Sequence, residues 1–527
     1  MTDTSLSDRS IRKSPSRGTA NRSDARASSQ IQGMADQEKP SWLIPIFVFA
    51  MFTPNLFFIA GLRLSAYKII LLVMFVPVFF KWISVRTGGV KGVDFLIIGY
   101  AVWAYLGLFV LHGFQYLEIG GILFVESLTP FLLARVYIRT PQDFEFFIKS
   151  LCWAIVLMLP FAIFESLTGR MLMSEILGKL TPVHPDLQHE MRLYMHRAQG
   201  PFEHPILFGV FTATAFSSAF LIWGYGLSGM ARTLRGLGVG LVTFFSLSMG
   251  AYVALMIQVA LLMWNWILRK VKGRWTILLS IFFVLYVIID LLSNRTPIEV
   301  FITTLTFRGG ASYNRLLIWE YGSAEALRHP IFGIGFNDWQ RLPWMVPSVD
   351  NFWLLTAMKS GLPAFLMLIG AFISSIYKTA SLDLSNDPKM ASYRLAYIFG
   401  LIGFMLSLCT VHVWNATYVF LIFFLGSCVW MRDYTAENAA PLAEDDTSQH
   451  GSRRSTNRPE RAKPARRGKS PERGTAATSE KRGTAATSTK RSTAATKPEE
   501  GSEPQKAPSQ RNRYTRGPTG PSRGNKR

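Results

Sequence analysis

The chain has 527 residues, 49% hydrophobic and 17% charged, with a formal net charge of +22. From Gly451 to Arg527 it holds 21 Lys/Arg against 6 Asp/Glu, a net of +15, so the basicity belongs mainly to a tail and not to a nucleic-acid-binding core. The long apolar runs between residues 42 and 432 exclude a soluble globular class, because about 20 consecutive apolar residues span a bilayer as a helix.

Residues 1–41 are rich in Ser, Arg, Asp and Gln with no apolar period, and are read as a disordered cytoplasmic N-terminus. Twelve spans then follow, at about 42–61, 67–84, 93–111, 117–136, 146–165, 204–224, 234–248, 250–268, 274–292, 351–377, 395–413 and 415–431. The expected fold is an all-α polytopic membrane protein of about twelve transmembrane helices, with a large outside loop before the tenth. The first run has no small-residue cleavage site and is expected to remain as an anchor. Cys152, Cys409 and Cys428 fall inside apolar runs, so no disulfide is expected.

Lys and Arg alternate along the connections. With the N-terminus inside, the cytoplasmic loops carry Lys81, Arg86 and Lys91; Arg135, Arg139 and Lys149; Arg232 and Arg235; Arg269 to Arg274; and Lys378, Lys389 and Arg394. This supports an even number of spans with both termini cytoplasmic. Two outside loops break the pattern. Residues 166–203 hold Arg170, Lys179, Arg192 and Arg197, and residues 293–350 hold Arg295, Arg308, Arg315, Arg328 and Arg341. Cations kept outside against the topological bias suggest an anionic partner there, although large loops also translocate regardless of charge.

Before the sixth span, Arg192 and Arg197 lie next to Gly200, Glu203, His204 and Pro205. Two guanidinium groups beside a helix N-terminus suit a phosphate, and the competing reading is Arg197 reaching for lipid headgroups. In the larger loop, residues 312–327 have the spacing of an amphipathic helix with Arg315 near its start, ended by Pro330 and a turn at Gly333 and Gly335. A surface ion pair with Glu320 is the alternative for Arg315. Asp350 and Asn351 open the tenth span, Asp350 being either a helix N-cap or a general base whose pKa is raised by partial desolvation. His184, His189, His196 and His204 lack the i, i+4 spacing of a helical zinc site. Residues 433–527 are read as a disordered basic cytoplasmic tail containing a nine-residue repeat, Arg473 to Ser479, Arg482 to Ser488 and Arg491 to Thr496. Its expected contact is with anionic lipid headgroups and not with nucleic acid.

Three stretches together resemble the O-antigen ligase/polymerase family of bacterial envelope glycosyltransferases. They are Arg197-Ala198-Gln199-Gly200 with Phe202 and His204-Pro205; Arg315 with Trp319 and then His329 to Gly335; and Asp350-Asn351 with Leu354 and Gly361. Phe245-Ser246-Leu247-Ser248 is a weaker match. The resemblance covers about residues 42–432. It implies an inner-membrane, metal-independent, inverting transferase without cofactor, acting at the periplasmic face on glycan carried by undecaprenyl diphosphate. Arg197, Arg315 and Asp350 would be catalytic. Arg192, Gly200, Glu203, His204, His329 and Asn351 would bind substrate. Members often have His-Asn where Asp350-Asn351 stands, so His329 and Glu203 are alternative bases. The preferred reading is polymerisation of O-antigen or exopolysaccharide repeat units, with ligation to lipid A core as runner-up and other polysaccharide-assembly membrane proteins as partners. A transporter is the rival class, for which Glu126, inside the fourth span, is the main candidate.

Overall fold

The computed structural model describes residues 40–434, apart from 60, 85–88, 185–188, 295 and 305–308. The N-terminal and C-terminal segments read above as disordered lie outside the described residues. An eight-residue helix, α1 (Leu43–Ala50), leads into a hairpin of β1 (Leu56–Ile59) and β2 (Leu62–Ser65). Then come α2 (Ala66–Ile83), α3 (Gly92–His112), α4 (Leu117–Tyr137), α5 (Pro141–Leu157), α6 (Leu159–Thr168) and α7 (Leu172–Leu177). α8 (Pro205–Thr214) continues helically to Trp223 and is followed by α9 (Gly229–Phe245), α10 (Met249–Ile267) and α11 (Arg274–Leu292). The extended connection forms α12 (Pro297–Thr304) and α13 (Gly309–Arg328), and the chain finishes with α14 (Phe352–Ala380), α15 (Pro388–Ser407) and α16 (Asn415–Gly426).

Among the described residues, nine helical stretches are long and apolar enough to cross a membrane. One of them, Gly92–Tyr137, contains two of the expected spans, so ten of the twelve are accounted for. The eleventh is α9, at 17 residues just short of that length. The chain is therefore a multi-pass membrane protein. The first expected span departs from its prediction. Pro54 follows the end of α1, and the chain turns into the hairpin instead of completing a helix to residue 61. Its ends still lie on opposite faces: Trp42 packs on Phe146 at the start of α5, whereas Asn55 bridges to Val183 in the connection before α8.

Contacts across the bundle sort the connections into two faces, in the same alternation as the loop charges. On one face Lys91 pairs with Asp433, and Tyr434 donates to Asp387. Below them Arg135 and Asp94 form a buried bidentate pair at 2.9 and 3.1 Å. Removing one partner of such a pair costs about 3–5 kcal/mol, because the other charge stays buried alone. On the opposite face His112 accepts from the Phe336 amide, Arg192 reaches Leu247, and Arg315 reaches Thr410. The two cation-bearing loops therefore share one face of the bundle.

α14 is the element that shapes this face. Gly361 has φ +82° and breaks the helix. Trp353 consequently touches Phe372, 19 residues later, with ring centroids 5.4 Å apart. In a straight helix that separation would be roughly 28 Å, so the first turns of α14 fold back across the bundle. The string His329 to Gly335 fixes the bend. The Leu362 amide donates to Pro330, and the Ile334 and Gly335 amides donate to Met358 and Lys359. A Cβ at Gly361 would lie 2.0 Å from the Ile331 carbonyl oxygen. Leu317, Ile318, Leu354 and Met358 bury the face of α13 that packs on these first turns.

Candidate functional site

Arg197 belongs to a segment held from below by α6. Glu165, 5% exposed, accepts the backbone amides of Gln199 (2.8 Å) and Gly200 (3.0 Å) through its two carboxylate oxygens. Ser166 exchanges hydrogen bonds with His196: its hydroxyl donates to the His196 carbonyl, and its own carbonyl accepts the His196 amide. The Ala198 amide donates to Phe245. Gly200 sits at φ +54°, with the Phe208 ring where a side chain would begin. Its amide is committed to Glu165, and His204 Nδ1 accepts from Ile206 at the start of α8. The backbone amide of Gly200 and that of Ile206 at the α8 N-terminus are therefore already engaged within the chain. Gly200 instead gives the turn its path, and guanidinium groups are left as the cationic element.

Three arginines from two loops gather on this face. Arg192 Nη1 donates to the Leu247 carbonyl at 2.8 Å, and Leu247 holds a left-handed φ of 45° in the Ser246–Ser248 connection. Arg315, on α13, donates from Nη2 to the Thr410 carbonyl between α15 and α16. Burial lowers the pKa of Arg197 to about 10, with the Arg192 charge adding to the shift. Arg315 is lowered by burial, partly offset by Asp350 and reinforced again by Arg192. Arg192 thus lies within electrostatic reach of both Arg197 and Arg315. All three remain cationic at neutral pH, in surroundings where water screens them weakly. The other described arginines of these loops lie elsewhere, Arg170 against Glu175, Arg328 against Glu325 and Arg341 against Asp338.

Asp350 is exposed and lies within electrostatic reach of Arg315. Partial desolvation raises its pKa from the ordinary aspartate value, and Arg315 opposes the shift. The N-cap of α14 is not Asp350 but Asn351, whose Oδ1 accepts the Leu354 amide at 3.0 Å. The capping role considered for Asp350 is thus filled by its neighbour, and Asn351 has a structural explanation. His204 touches His189, with ring centroids 4.5 Å apart, and feels both Arg197 and Arg192. Burial, then His189, then Arg197 and Arg192, push its pKa down to about 3, leaving a neutral imidazole beside the arginines.

Two expected site residues are not brought to this cluster. His329 is exposed just beyond the C-terminal end of α13, with Nε2 3.5 Å from Glu325. It is 14 residues past Arg315, roughly 21 Å along a helix axis. Glu203 turns toward His184 (3.1 Å) and Asn415 (3.0 Å). Glu126, the transport candidate, is paired with Lys68 at 2.9 Å. Sequence reasoning missed Glu165, the carbonyls of Leu247 and Thr410, and the histidine His412. His412 stacks between Phe352 and Trp414, and burial lowers its pKa to about 4.

An apolar cleft of about 820 Å³ opens beside the cluster, between α11 and the helices α13 to α15. Asn351, Trp319 and Cys409 lie on its wall, and Cys409 adjoins the Thr410 carbonyl that Arg315 holds. α11 buries none of its residues against the bundle, so apolar side chains such as Phe282 and Leu285 form the outer wall. A cationic cluster next to an apolar cleft can hold an amphiphile with an anionic head. Residues 236–369 match the family model described as O-Antigen ligase, a stretch that includes Arg315, Asp350 and Gly361 but not Arg192 or Arg197. No curated protein matches the chain.

Proposed function

This multi-pass membrane protein belongs, through residues 236–369, to the O-antigen ligase/polymerase family, and from that premise we propose that it polymerises carrier-linked glycan repeat units at the periplasmic face of the bacterial inner membrane. The observation that carries the proposal is that Arg192 lies within electrostatic reach of both Arg197 and Arg315, and Arg315 of Asp350, whose neighbour Asn351 lines an apolar cleft. The donor is an undecaprenyl-diphosphate-linked glycan. Its prenyl chain occupies the cleft along α11 and its diphosphate meets the guanidinium groups, which bind phosphate oxygens through paired N–H donors.

The reaction balances within the chain's own residues. An acceptor hydroxyl oxygen attacks the anomeric carbon and gives its proton to the Asp350 carboxylate. The bond from that carbon to the phosphate oxygen breaks, and its electron pair leaves with the carrier diphosphate. Attack from the side opposite the diphosphate inverts the anomeric configuration. Negative charge grows on the leaving group, and the arginines stabilise it without a metal. His204, neutral in this setting, contributes no positive charge.

Asp350 must be ionised to accept the proton, and its pKa is raised from the ordinary aspartate value by desolvation. Transfer is expected to fall roughly tenfold per pH unit below that pKa and to level off above it. Asp350→Asn should remove this limb together with most of the activity. A wild-type rate and pH profile in Asp350→Asn would assign the base elsewhere. The glycan profile of a deletion strain then separates the two family activities. Loss of long polymer with single units still attached identifies a polymerase, whereas polymer left on the carrier identifies a ligase.

A further inference from the structure

Two further cavities lie apart from Arg192, Arg197 and Arg315. The first, about 300 Å³, is enclosed by α3, α4, the start of α14 and the connection between α15 and α16, with Tyr100, Tyr105, Phe352, His412 and Trp414 in its walls. The second, about 280 Å³, is lined by Arg63, Lys68, His184 and Glu203. Asn415 borders both, and the Lys68–Glu126 pair joins them, Lys68 facing the second and Glu126 the first. Asn415 accepts from Lys68 Nζ at 3.1 Å and donates to Glu203 at 3.0 Å. It does so at φ +49°, a left-handed conformation that Asn adopts more readily than other non-glycine residues.

The chemistry of these walls selects a ligand class. Both cavities sit at the small end of ligand sites, which run from roughly 300 to 1,000 Å³. Aromatic faces suit the apolar face of a sugar ring, and carboxylate, amide and hydroxyl groups suit its hydroxyls. In the first cavity Glu126 disfavours a phosphate, and in the second Glu203 offsets the charges of Arg63 and Lys68. The position is equally informative. Phe352, two residues after Asp350, stacks on His412, which stacks on Trp414, and Trp414 meets His204 with ring centroids 6.1 Å apart. This aromatic wall stands between the first cavity and the arginine cluster, with Asp350 at one end.

We propose that the cavity walled by Phe352, His412 and Trp414 binds the terminal sugar of the acceptor glycan, presenting its hydroxyl past Phe352 to Asp350, and that the second cavity takes the next sugar through Glu203 and Asn415. The assignment rests on the glycan-transfer reading above and divides its site into a donor half and an acceptor half. The test places a photo-crosslinker in cells that make the polymer, as Tyr105→p-benzoylphenylalanine in the acceptor cavity and as Tyr313→p-benzoylphenylalanine beside Arg315. Glycan-bearing adducts are expected at both positions. Arg315→Ala should remove the adduct at 313 and keep the one at 105. Trp414→Ala should reduce the adduct at 105 about tenfold without affecting 313, and Trp414→Phe, which keeps an aromatic face, should restore it. An adduct at 313 with none at 105, or loss of both together in Arg315→Ala, would overturn the acceptor assignment alone. Absence of glycan at both positions in the otherwise unchanged chain would overturn the transfer reading as well. The Arg315→Ala comparison decides the matter even if Trp414→Ala does not fold.

Discussion

Replacing Arg197 or Arg315 with Ala is expected to reduce glycan transfer by about 10²–10³-fold, the range seen when one preorganised donor to a developing anion is removed. The two guanidinium groups come from different loops, one held by Glu165 through the turn at Gly200, the other carried on α13 and anchored to Thr410. Neither substitution removes a core contact, because both side chains are only partly buried. Insertion and protein level should therefore match wild type. Lys at either position should recover only part of the activity, since a point charge cannot reproduce the planar pair of donors. Surface-glycan profiles and carrier-linked donor turnover in membranes check this. Wild-type profiles from both Ala variants would remove the arginines from the mechanism.

The second large effect is expected at a residue with no reactive group. Gly361→Ala puts a Cβ 2.0 Å from the Ile331 carbonyl oxygen, at a φ of +82° that costs an L-residue roughly 1–2 kcal/mol by itself. The clash is with backbone, so no side-chain rotation relieves it. The fold-back of α14 must open, and Asp350 and Asn351 move with it. A displacement near 1 Å at the reacting groups costs about 10²-fold in rate. Transfer should fall by at least that order, and thermal stability of the purified protein should fall with it. Gly121→Ala in α4 is the control, since a Cβ there meets nothing within 4 Å. Equal behaviour of the two variants would show that the bend does not position the site.

The sequence exposes the spans because bilayer thickness imposes a length and excludes charge, and those two constraints are visible residue by residue. The first span escaped because eight helical residues and a hairpin carry the same apolar composition as a full crossing. Gly361 in an apolar run looks like any small residue in a membrane helix. Only the carbonyl of Ile331, 30 residues earlier, makes it indispensable. The same reason hides the partners of Arg192 and Arg315, which are backbone oxygens with no residue signature. Arg197, Arg315 and Asp350 stand out in the sequence as charges in outside loops, but Arg170, Arg328 and Arg341 do so equally, and only the structure separates the ion-paired arginines from those near Asp350. Asp350 and Asn351 are both good caps, and only the hydrogen bond to the Leu354 amide assigns that role to Asn351. In the sequence Glu165 reads as the end of a span, whereas its carboxylate accepts the amides of the turn that follows Arg197.

The most direct measurement is a cryo-electron-microscopy map of the full chain in lipid nanodiscs, bound to an unreactive phosphonate analogue of a prenyl-diphosphate sugar. Phosphorus density within hydrogen-bonding distance of both Arg197 and Arg315, with the prenyl chain running along α11, is the predicted result. A headgroup lodged instead against Arg63 and Lys68, with the three arginines facing only solvent, would contradict it.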